Sequence, residues 1–167
     1  EPLDIQFAAQ KTTRPSAGGG EGKSRDDNES TISINMGGRT ILLYNLNEPD
    51  NPIELAFQQR YGSIVAYRWF GDGYLLIGFS EGYVVAISTH IDEIGEELFS
   101  GKFHKGQLRD IAVCPVLTRA ATCGDGCIRI VDMKNWKELK GEAVHLDREH
   151  GNLDKMEWTE DGQILTV

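Results

Sequence analysis

Long apolar runs and positive charge are scarce in this sequence. None of the apolar runs in its 167 residues approaches the roughly 20 residues that a transmembrane helix needs, which predicts no direct insertion into a membrane. Lys and Arg number 17 against 26 Asp and Glu, so the net charge is -9 at pH 7. Because such a chain repels phosphate backbones and anionic lipid surfaces, we expect no nucleic-acid partner.

Cysteine is also scarce. The three cysteines, Cys114, Cys123 and Cys127, do not form an even disulfide framework and favour a reducing intracellular compartment. Together with His104 they offer donor types that zinc accepts. However, Cys123 and Cys127 occupy positions that a repeat, described below, fills with aromatic residues elsewhere. We therefore predict a structural role for the cysteines and no bound metal.

Motifs for catalysis are few. Gly-x-Ser-x-Gly is absent. Residues 17–24, AGGGEGKS, resemble a phosphate-binding loop with Ala in place of its first Gly, but no apolar strand precedes them and no amphipathic helix follows. Asp72, Asp125 and Asp161 each adjoin glycine, as turn residues do. We predict that the chain is not an enzyme and binds no cofactor; an NTPase using Lys23 and Ser24 is the enzymatic alternative.

What the sequence does contain is a repeat of about 44 residues. Residues 38–45, 81–88 and 125–132 share one pattern, a turn followed by an apolar strand, and the anchors Trp69, Val113 and Trp158 lie at the same spacing. A period of 40 to 45 residues with several short strands is typical of a β-propeller blade. The sequence therefore predicts an all-β fold, a partial β-propeller of about three and a half four-stranded blades.

The repeat also sets the expected blade boundaries. We predict blades at residues 1–60, 61–105 and 106–150 and an incomplete one at 151–167, with a flexible loop insertion at 10–29. Propellers close with four to eight blades, so we expect the chain to be part of a larger ring. The predicted inner strands are 3–7, 64–69, 108–113 and 153–158, and the predicted outer strands are 53–59, 97–104 and 139–145. Trp69 and Trp158 should pack between blades, and Trp136 should be partly exposed.

The repeat resembles the WD-repeat class. In that family a His before the inner strand, an Asp between the second and third strands and a Trp-Asp pair tie a blade together by hydrogen bonds. Here His104, Asp125 and the pair Val131 and Asp132 occupy those places, and Cys123 takes the usual Ser position. Val131 stands where the family has Trp, so these blades diverge from the pattern.

A closer resemblance is to the WD-repeat subunits of intraflagellar transport complex A. It rests on strings in loops as well as strands, at residues 46–52, 57–62, 71–73, 77–80, 87–90 and 121–125. The resemblance implies a non-enzymatic scaffold in the cilium or flagellum and basal body, on the cytoplasmic side. It also implies retrograde transport, ciliary import of membrane cargo, and partners that include other WD-repeat subunits of the complex, a tubby-like adaptor and cargo. A propeller from a vesicle coat or a ubiquitin-ligase adaptor is the alternative.

Partner contacts are predicted on one rim of the propeller. The turns between second and third strands and the links between blades share this first rim, which is predicted to carry Arg60, Tyr61, Glu81, Phe103, His104, Lys105 and Asp125. Arg and aromatic side chains supply much of the energy at protein interfaces. The second rim, with residues 48–52, 92–96 and the insertion, is mostly acidic. Alternatively, His104 and Asp125 only hydrogen-bond within their own blade.

Overall fold

The regular secondary structure of the described residues is nearly all β-strand, as the repeat predicts, with three short 3₁₀ helices besides. A computed structural model describes residues 1–8, 31–147 and 152–167. The predicted insertion at 10–29, including the string at 17–24, lies outside these residues. The strands are β1 (Pro2–Phe7), β2 (Thr31–Met36), β3 (Thr40–Asn45), β4 (Ile53–Ala56), β5 (Ile64–Phe70), β6 (Tyr74–Phe79), β7 (Tyr83–Ser88), β8 (Glu97–Lys102), β9 (Leu108–Cys114), β10 (Arg119–Gly124), β11 (Cys127–Asp132), β12 (Lys137–Glu138), β13 (Val144–His145), β14 (Glu157–Trp158) and β15 (Leu165–Thr166).

In the part of the chain that the structure describes, the strands form four antiparallel sheets that follow one another in sequence. The sheet orders are β1-β2-β3-β4, β5-β6-β7-β8, β9-β10-β11-β12 with β13 also on β11, and β14-β15. The first strands of neighbouring sheets contact each other, β1 with β5, β5 with β9 and β9 with β14. Inner strands packed side by side are the arrangement of blades in a propeller. Within the described residues, no helix is long and apolar enough to cross a membrane.

Three apolar clusters fill the spaces between successive sheets. Strands β6 and β7 are almost continuously apolar because both of their faces are buried. In β6, Leu75 and Ile77 face the cluster shared with the first sheet, whereas Leu76 faces the cluster shared with the third. A strand buried on both faces has no solvent side, so polar residues would cost desolvation free energy at either position. The third cluster joins the third and fourth sheets through residues such as Cys123 and Met156.

Several strands are shorter than predicted. Of the outer strand expected at 139–145 only Val144–His145 is regular, because a 3₁₀ helix takes up Lys140–Glu142 and a short strand lies earlier, at Lys137–Glu138. The outer strand expected at 53–59 ends at Ala56, before a 3₁₀ helix at Gln59–Tyr61. The inner strand expected at 153–158 is regular only at Glu157–Trp158. Just before this strand, the backbone N–H of Met156 donates to the Asp110 carboxylate, 2.8 Å away, and not to a carbonyl of a neighbouring strand.

The links between sheets hold the turns of the first rim. Gly82, in the β6–β7 turn, has φ of +82° and offers its carbonyl to the N–H groups of Phe103 and His104, at 3.0 and 3.2 Å. The link before β5 likewise joins two sheets, because Ile64 N–H donates to Gly38 O and Glu81 N–H to Tyr61 O. Each link therefore fixes the position of one blade relative to the next.

Gly82→Ala is expected to cost about 2 kcal/mol more stability than Gly126→Ala. Both glycines occupy the same turn position and both have positive φ, +82° and +70°, so Ala pays a similar backbone penalty at each. A Cβ on Gly82 would overlap the His104 carbonyl oxygen and lie 2.8 Å from Gly106 O, whereas on Gly126 the nearest atom would be 3.5 Å away. Urea titration of both variants measures the difference, and equal losses would show that the link moves aside without cost.

Candidate interaction surface

The structure separates the seven predicted first-rim residues into two groups. Tyr61, Phe103 and His104 are 0, 8 and 1 % exposed, so they cannot offer area to a partner. The prediction of a contact surface is wrong at these three residues, because their large side chains lie in the links and fill the spaces between sheets. Four of the seven residues are exposed, namely Arg60, Glu81, Lys105 and Asp125.

His104 and Asp125 form a hydrogen-bond network inside the third blade. His104 Nδ1 lies 2.7 Å from Asp125 Oδ1 and 3.1 Å from Gly124 O, and its Nε2 lies 2.9 Å from the Thr122 hydroxyl. Because a carboxylate only accepts, Nδ1 carries the proton and Nε2 accepts from Thr122. Asp125 Oδ2 accepts the Lys105 N–H at 3.0 Å, so both carboxylate oxygens are used within the blade. Asp125 therefore holds the link in place.

The hydroxyl in this network belongs to Thr122, which corrects the assignment of the Ser position to Cys123. Side chains alternate between the two faces of a strand. Thr122 points toward His104, whereas Cys123 points into the cluster shared with the fourth sheet and its thiol contacts Leu153 O at 3.5 Å. Cys114, Cys123 and Cys127 are buried thiols, and none of the described residues forms a group of three or more His, Cys, Asp or Glu that could hold a metal.

Stability should fall in mildly acidic solution because of His104. Burial lowers its pKa below the ordinary value of about 6.5, although Asp125 opposes the shift. The unfolded chain then binds more protons than the native one, so the stability contributed by neutral His104 is present above pH 6.5 and is lost as pH falls from there toward the native pKa.

The measurement is urea unfolding of the native sequence and of His104→Gln at pH 7.5 and 5.5. Burial tends to raise the pKa of Asp125, but its hydrogen bonds with His104 and Lys105 outweigh this and lower it, so Asp125 stays ionised at both values. We expect the native sequence to lose more stability than the variant between the two pH values. An identical loss in both proteins would contradict the role given to His104.

A second network surrounds Arg60 at the outer part of the second blade. The Tyr61 hydroxyl donates to the Glu97 carboxylate, with oxygens 2.9 and 3.1 Å away, and Gln58 donates to the same group at 3.2 Å. Arg60 Nη2 donates to the Tyr61 hydroxyl at 3.3 Å, and this hydrogen bond raises the pKa of the guanidinium. The ring of Tyr61 lies 5.0 Å from that of Tyr83. Buried Tyr61 thus anchors the exposed Arg60 beside it.

Sequence reasoning missed a buried carboxylate among the inner strands. Asp110, on β9, is 1 % exposed; its Oδ1 accepts from Arg68 Nη2 on β5 at 3.0 Å and its Oδ2 accepts from Met156 N–H at 2.8 Å. One side chain thus connects the second, third and fourth sheets. Its signal in the sequence is a charged residue inside a predicted inner strand. The repeat gives only partial support, because the second and fourth blades have Ala66 and Lys155 at this position and the first has an exposed acid, Asp4.

Trp69 and Trp158 pack between neighbouring sheets, as predicted from their spacing. Trp69 Nε1 donates to Ser33 Oγ of the first sheet at 2.8 Å, and Trp158 Nε1 donates to Ala112 O of the third sheet at 3.2 Å. Trp136 is half-buried, which confirms its predicted partial exposure, and its ring stacks on Phe99 with centroids 5.3 Å apart. The equivalent tryptophans thus perform the same task at two blade junctions.

The second rim presents acidic and aliphatic side chains. Glu48, Asp50, Asp92 and Glu96 are exposed in its loops, and Ile91 is 84 % exposed. The 3₁₀ helix at Ile91–Glu93 is fixed to the blade by Ser88, whose hydroxyl donates to Glu93. The two rims therefore differ in charge as predicted within the described residues.

Successive four-stranded sheets with neighbouring inner strands, closed in one blade by a His–Asp–Thr network, define the class of WD-repeat β-propellers. A family model described as the WDR19 first beta-propeller matches residues 1–167. The chain belongs to this family, which confirms the resemblance drawn from its loop strings.

Three relatives agree with that assignment. The chain is 44 % identical to WD repeat-containing protein 19 of Mus musculus over 167 residues and 45 % identical to that of Homo sapiens over 168, in each case over 100 % of this chain. It is 40 % identical over 136 residues, 81 % of the chain, to WD repeat-containing protein dyf-2 of Caenorhabditis elegans. The aligned part is 12 % of the mouse and human proteins and 10 % of dyf-2.

Proposed function

We propose that this chain is a non-enzymatic, protein-binding scaffold propeller of intraflagellar transport complex A. The observation that carries the proposal is its similarity along the whole chain to the WDR19 first propeller. The protein then acts in retrograde ciliary transport and in the import of membrane cargo, in the cilium and basal body on the cytoplasmic side. Its partners are other WD-repeat subunits of the complex, together with a tubby-like adaptor and membrane cargo.

The proposed mechanism is rigid display of rim side chains. We assign blades to residues 1–60, 61–105 and 106–150 and the beginning of another to 151–167. The apolar clusters between sheets and the hydrogen-bonded links support a surface that changes little on binding. A preorganised surface loses little conformational entropy when a partner binds, so a small number of exposed side chains can give specificity. On the first rim these are Arg60, Glu81 and Lys105.

Affinity purification of the full-length parent protein, tagged and expressed in ciliated cells, tests this function. Mass spectrometry should identify the other complex A subunits as the main co-purifying proteins. Enrichment of vesicle-coat or ubiquitin-ligase subunits in their place would assign the propeller to a different assembly.

Charge reversal tests the choice of rim. In the full-length protein, the double variant Arg60→Glu and Lys105→Glu should lose at least one co-purifying subunit, because it reverses two exposed first-rim charges. The matched variant Asp92→Lys and Glu96→Lys, which reverses two exposed second-rim charges, should retain all of them. The opposite pattern would identify the second rim as the contact surface.

A further inference from the structure

Two exposed cations share one aromatic ring at the outer part of the second blade. The Arg60 guanidinium carbon lies 5.8 Å from the centroid of the Tyr83 ring and 5.1 Å from that of Tyr61. The Lys102 Nζ lies 5.4 Å from the centroid of the same Tyr83 ring. We name Arg60, Tyr83 and Lys102 the cation cluster. It unites a first-rim residue with two strand residues that sequence reasoning did not select.

The cluster is held by rigid elements. Tyr83 on β7 and Lys102 on β8 are directly opposite each other in the antiparallel register. Arg60 belongs to the 3₁₀ helix Gln59–Tyr61, and the neighbouring Tyr61 is fully buried. Tyr83 packs against the apolar cluster between the first two sheets while its ring remains partly exposed. The fold therefore holds the two positive charges around one ring, although like charges repel each other.

Neither cation is neutralised by a close carboxylate. Within the described residues, no carboxylate oxygen lies within 4 Å of a charged nitrogen of Arg60 or Lys102, whereas Arg68, Arg119 and Arg129 all have such a partner. The neighbouring acid, Glu97, instead accepts hydrogen bonds from Tyr61 and Gln58. Among the described residues the other lysines also lack such a partner, so what distinguishes the cluster is that two cations lie around one ring in a chain of net charge -9.

We propose that the cation cluster binds an Asp- or Glu-rich segment of a protein partner. The Arg60 guanidinium can hold a carboxylate by two parallel hydrogen bonds, and the Lys102 ammonium can hold a second one. The faces of Tyr61 and Tyr83 attract the cations and restrict their positions, so less side-chain freedom is lost when an anion binds. An acidic peptide fits better than nucleic acid, because the charge of the whole chain repels a long phosphate backbone. The inference rests on the proposed scaffold function and names the chemistry of one contact.

Zero-length cross-linking of the assembled complex tests the proposal directly. Carbodiimide joins an amine to a carboxylate only where the two are in contact, so Lys102 of the tagged full-length protein should couple to an Asp or Glu of another subunit. Lys102→Arg keeps the charge and removes the reactive amine, and it should abolish this cross-link while the subunit still co-purifies. Coupling of Lys102 only to acids of its own chain would overturn the proposal.

Charge reversal supplies an independent measurement. The double variant Arg60→Glu and Lys102→Glu should reduce recovery of the cross-linked subunit at least tenfold. The matched variant Lys134→Glu and Lys137→Glu changes the net charge equally at exposed positions away from the cluster and should leave recovery unchanged. Because all four side chains are exposed, both variants should have the same melting temperature as the native protein. The neutral variant Arg60→Gln and Lys102→Gln should give an intermediate loss of recovery.

The outcomes distinguish the cluster from the function on which it rests. If the double reversal co-purifies with every complex A subunit at native levels, the cluster proposal is wrong and the scaffold function stands. If even the native protein recovers no complex A subunit, both are wrong. A recovery that is lost equally in the matched control would show an effect of net charge and would also overturn the cluster proposal.

Discussion

Asp110→Ala is expected to lower the free energy of unfolding by about 3 kcal/mol. The Asp110 side chain is 2 % exposed, and its loss leaves the Arg68 guanidinium and the Met156 N–H without their acceptor. The expected loss is at the lower end for a broken buried pair because the Arg68 side chain is 34 % exposed and also donates to Tyr67 O. Urea titration measures the change, and amide hydrogen exchange at Met156 should become faster.

Asp154→Ala is the matched control for Asp110→Ala. Asp154 also faces an arginine, Arg109, but the atoms are 3.8 Å apart and the two side chains are 48 and 63 % exposed. An exposed pair of this kind contributes about 0 to 1 kcal/mol. If both variants lose the same small amount, Asp110 does not connect the three sheets energetically, and water replaces its hydrogen bonds.

The strands were predictable because their burial leaves a signal in the sequence. A strand that is covered on both faces, such as β6 or β7, must be apolar throughout, and a turn with positive φ selects the glycines that separate them. The 44-residue spacing then repeats this signal. The predicted strand at 64–69 and the observed Ile64–Phe70 accordingly differ by one residue.

The contacts between blades were less predictable. Asp110 and Arg68 are 42 residues apart, and only the packing of β5 beside β9 brings them together. Thr122 and Cys123 differ by one position, which in a strand reverses the face, so a small error in register moved the hydroxyl to the wrong residue. Tyr61 and Phe103 lie in links and were expected at the surface, but these links fill the gaps between sheets. A local sequence pattern does not predict such gaps, because they depend on how neighbouring sheets pack.

Trp69→Ala is expected to lower the free energy of unfolding by about 3 kcal/mol, near the lower limit for a large aromatic side chain because Trp69 is only partly buried. The ring packs against the cluster between the first two sheets, and its Nε1–H donates to Ser33 Oγ. Ser33 is fully buried, its hydroxyl donates to Gln6 O, and its carbonyl accepts from the Tyr67 hydroxyl. Removal of the indole therefore opens a cavity and weakens a network that joins two blades.

Trp69→Phe separates these two contributions. Phe retains most of the apolar contact and loses the donor to Ser33, so the expected loss is about 1 kcal/mol, the usual net contribution of one hydrogen bond. Urea unfolding followed by circular dichroism allows the comparison without relying on tryptophan fluorescence. If Trp69→Ala costs less than about 1 kcal/mol, the side chain contributes little to the junction and the blades are held together chiefly by the residues of β6 and β7. If Trp69→Phe costs as much as Trp69→Ala, the hydrogen bond to Ser33, and not the packing of the ring, fixes the first blade to the second.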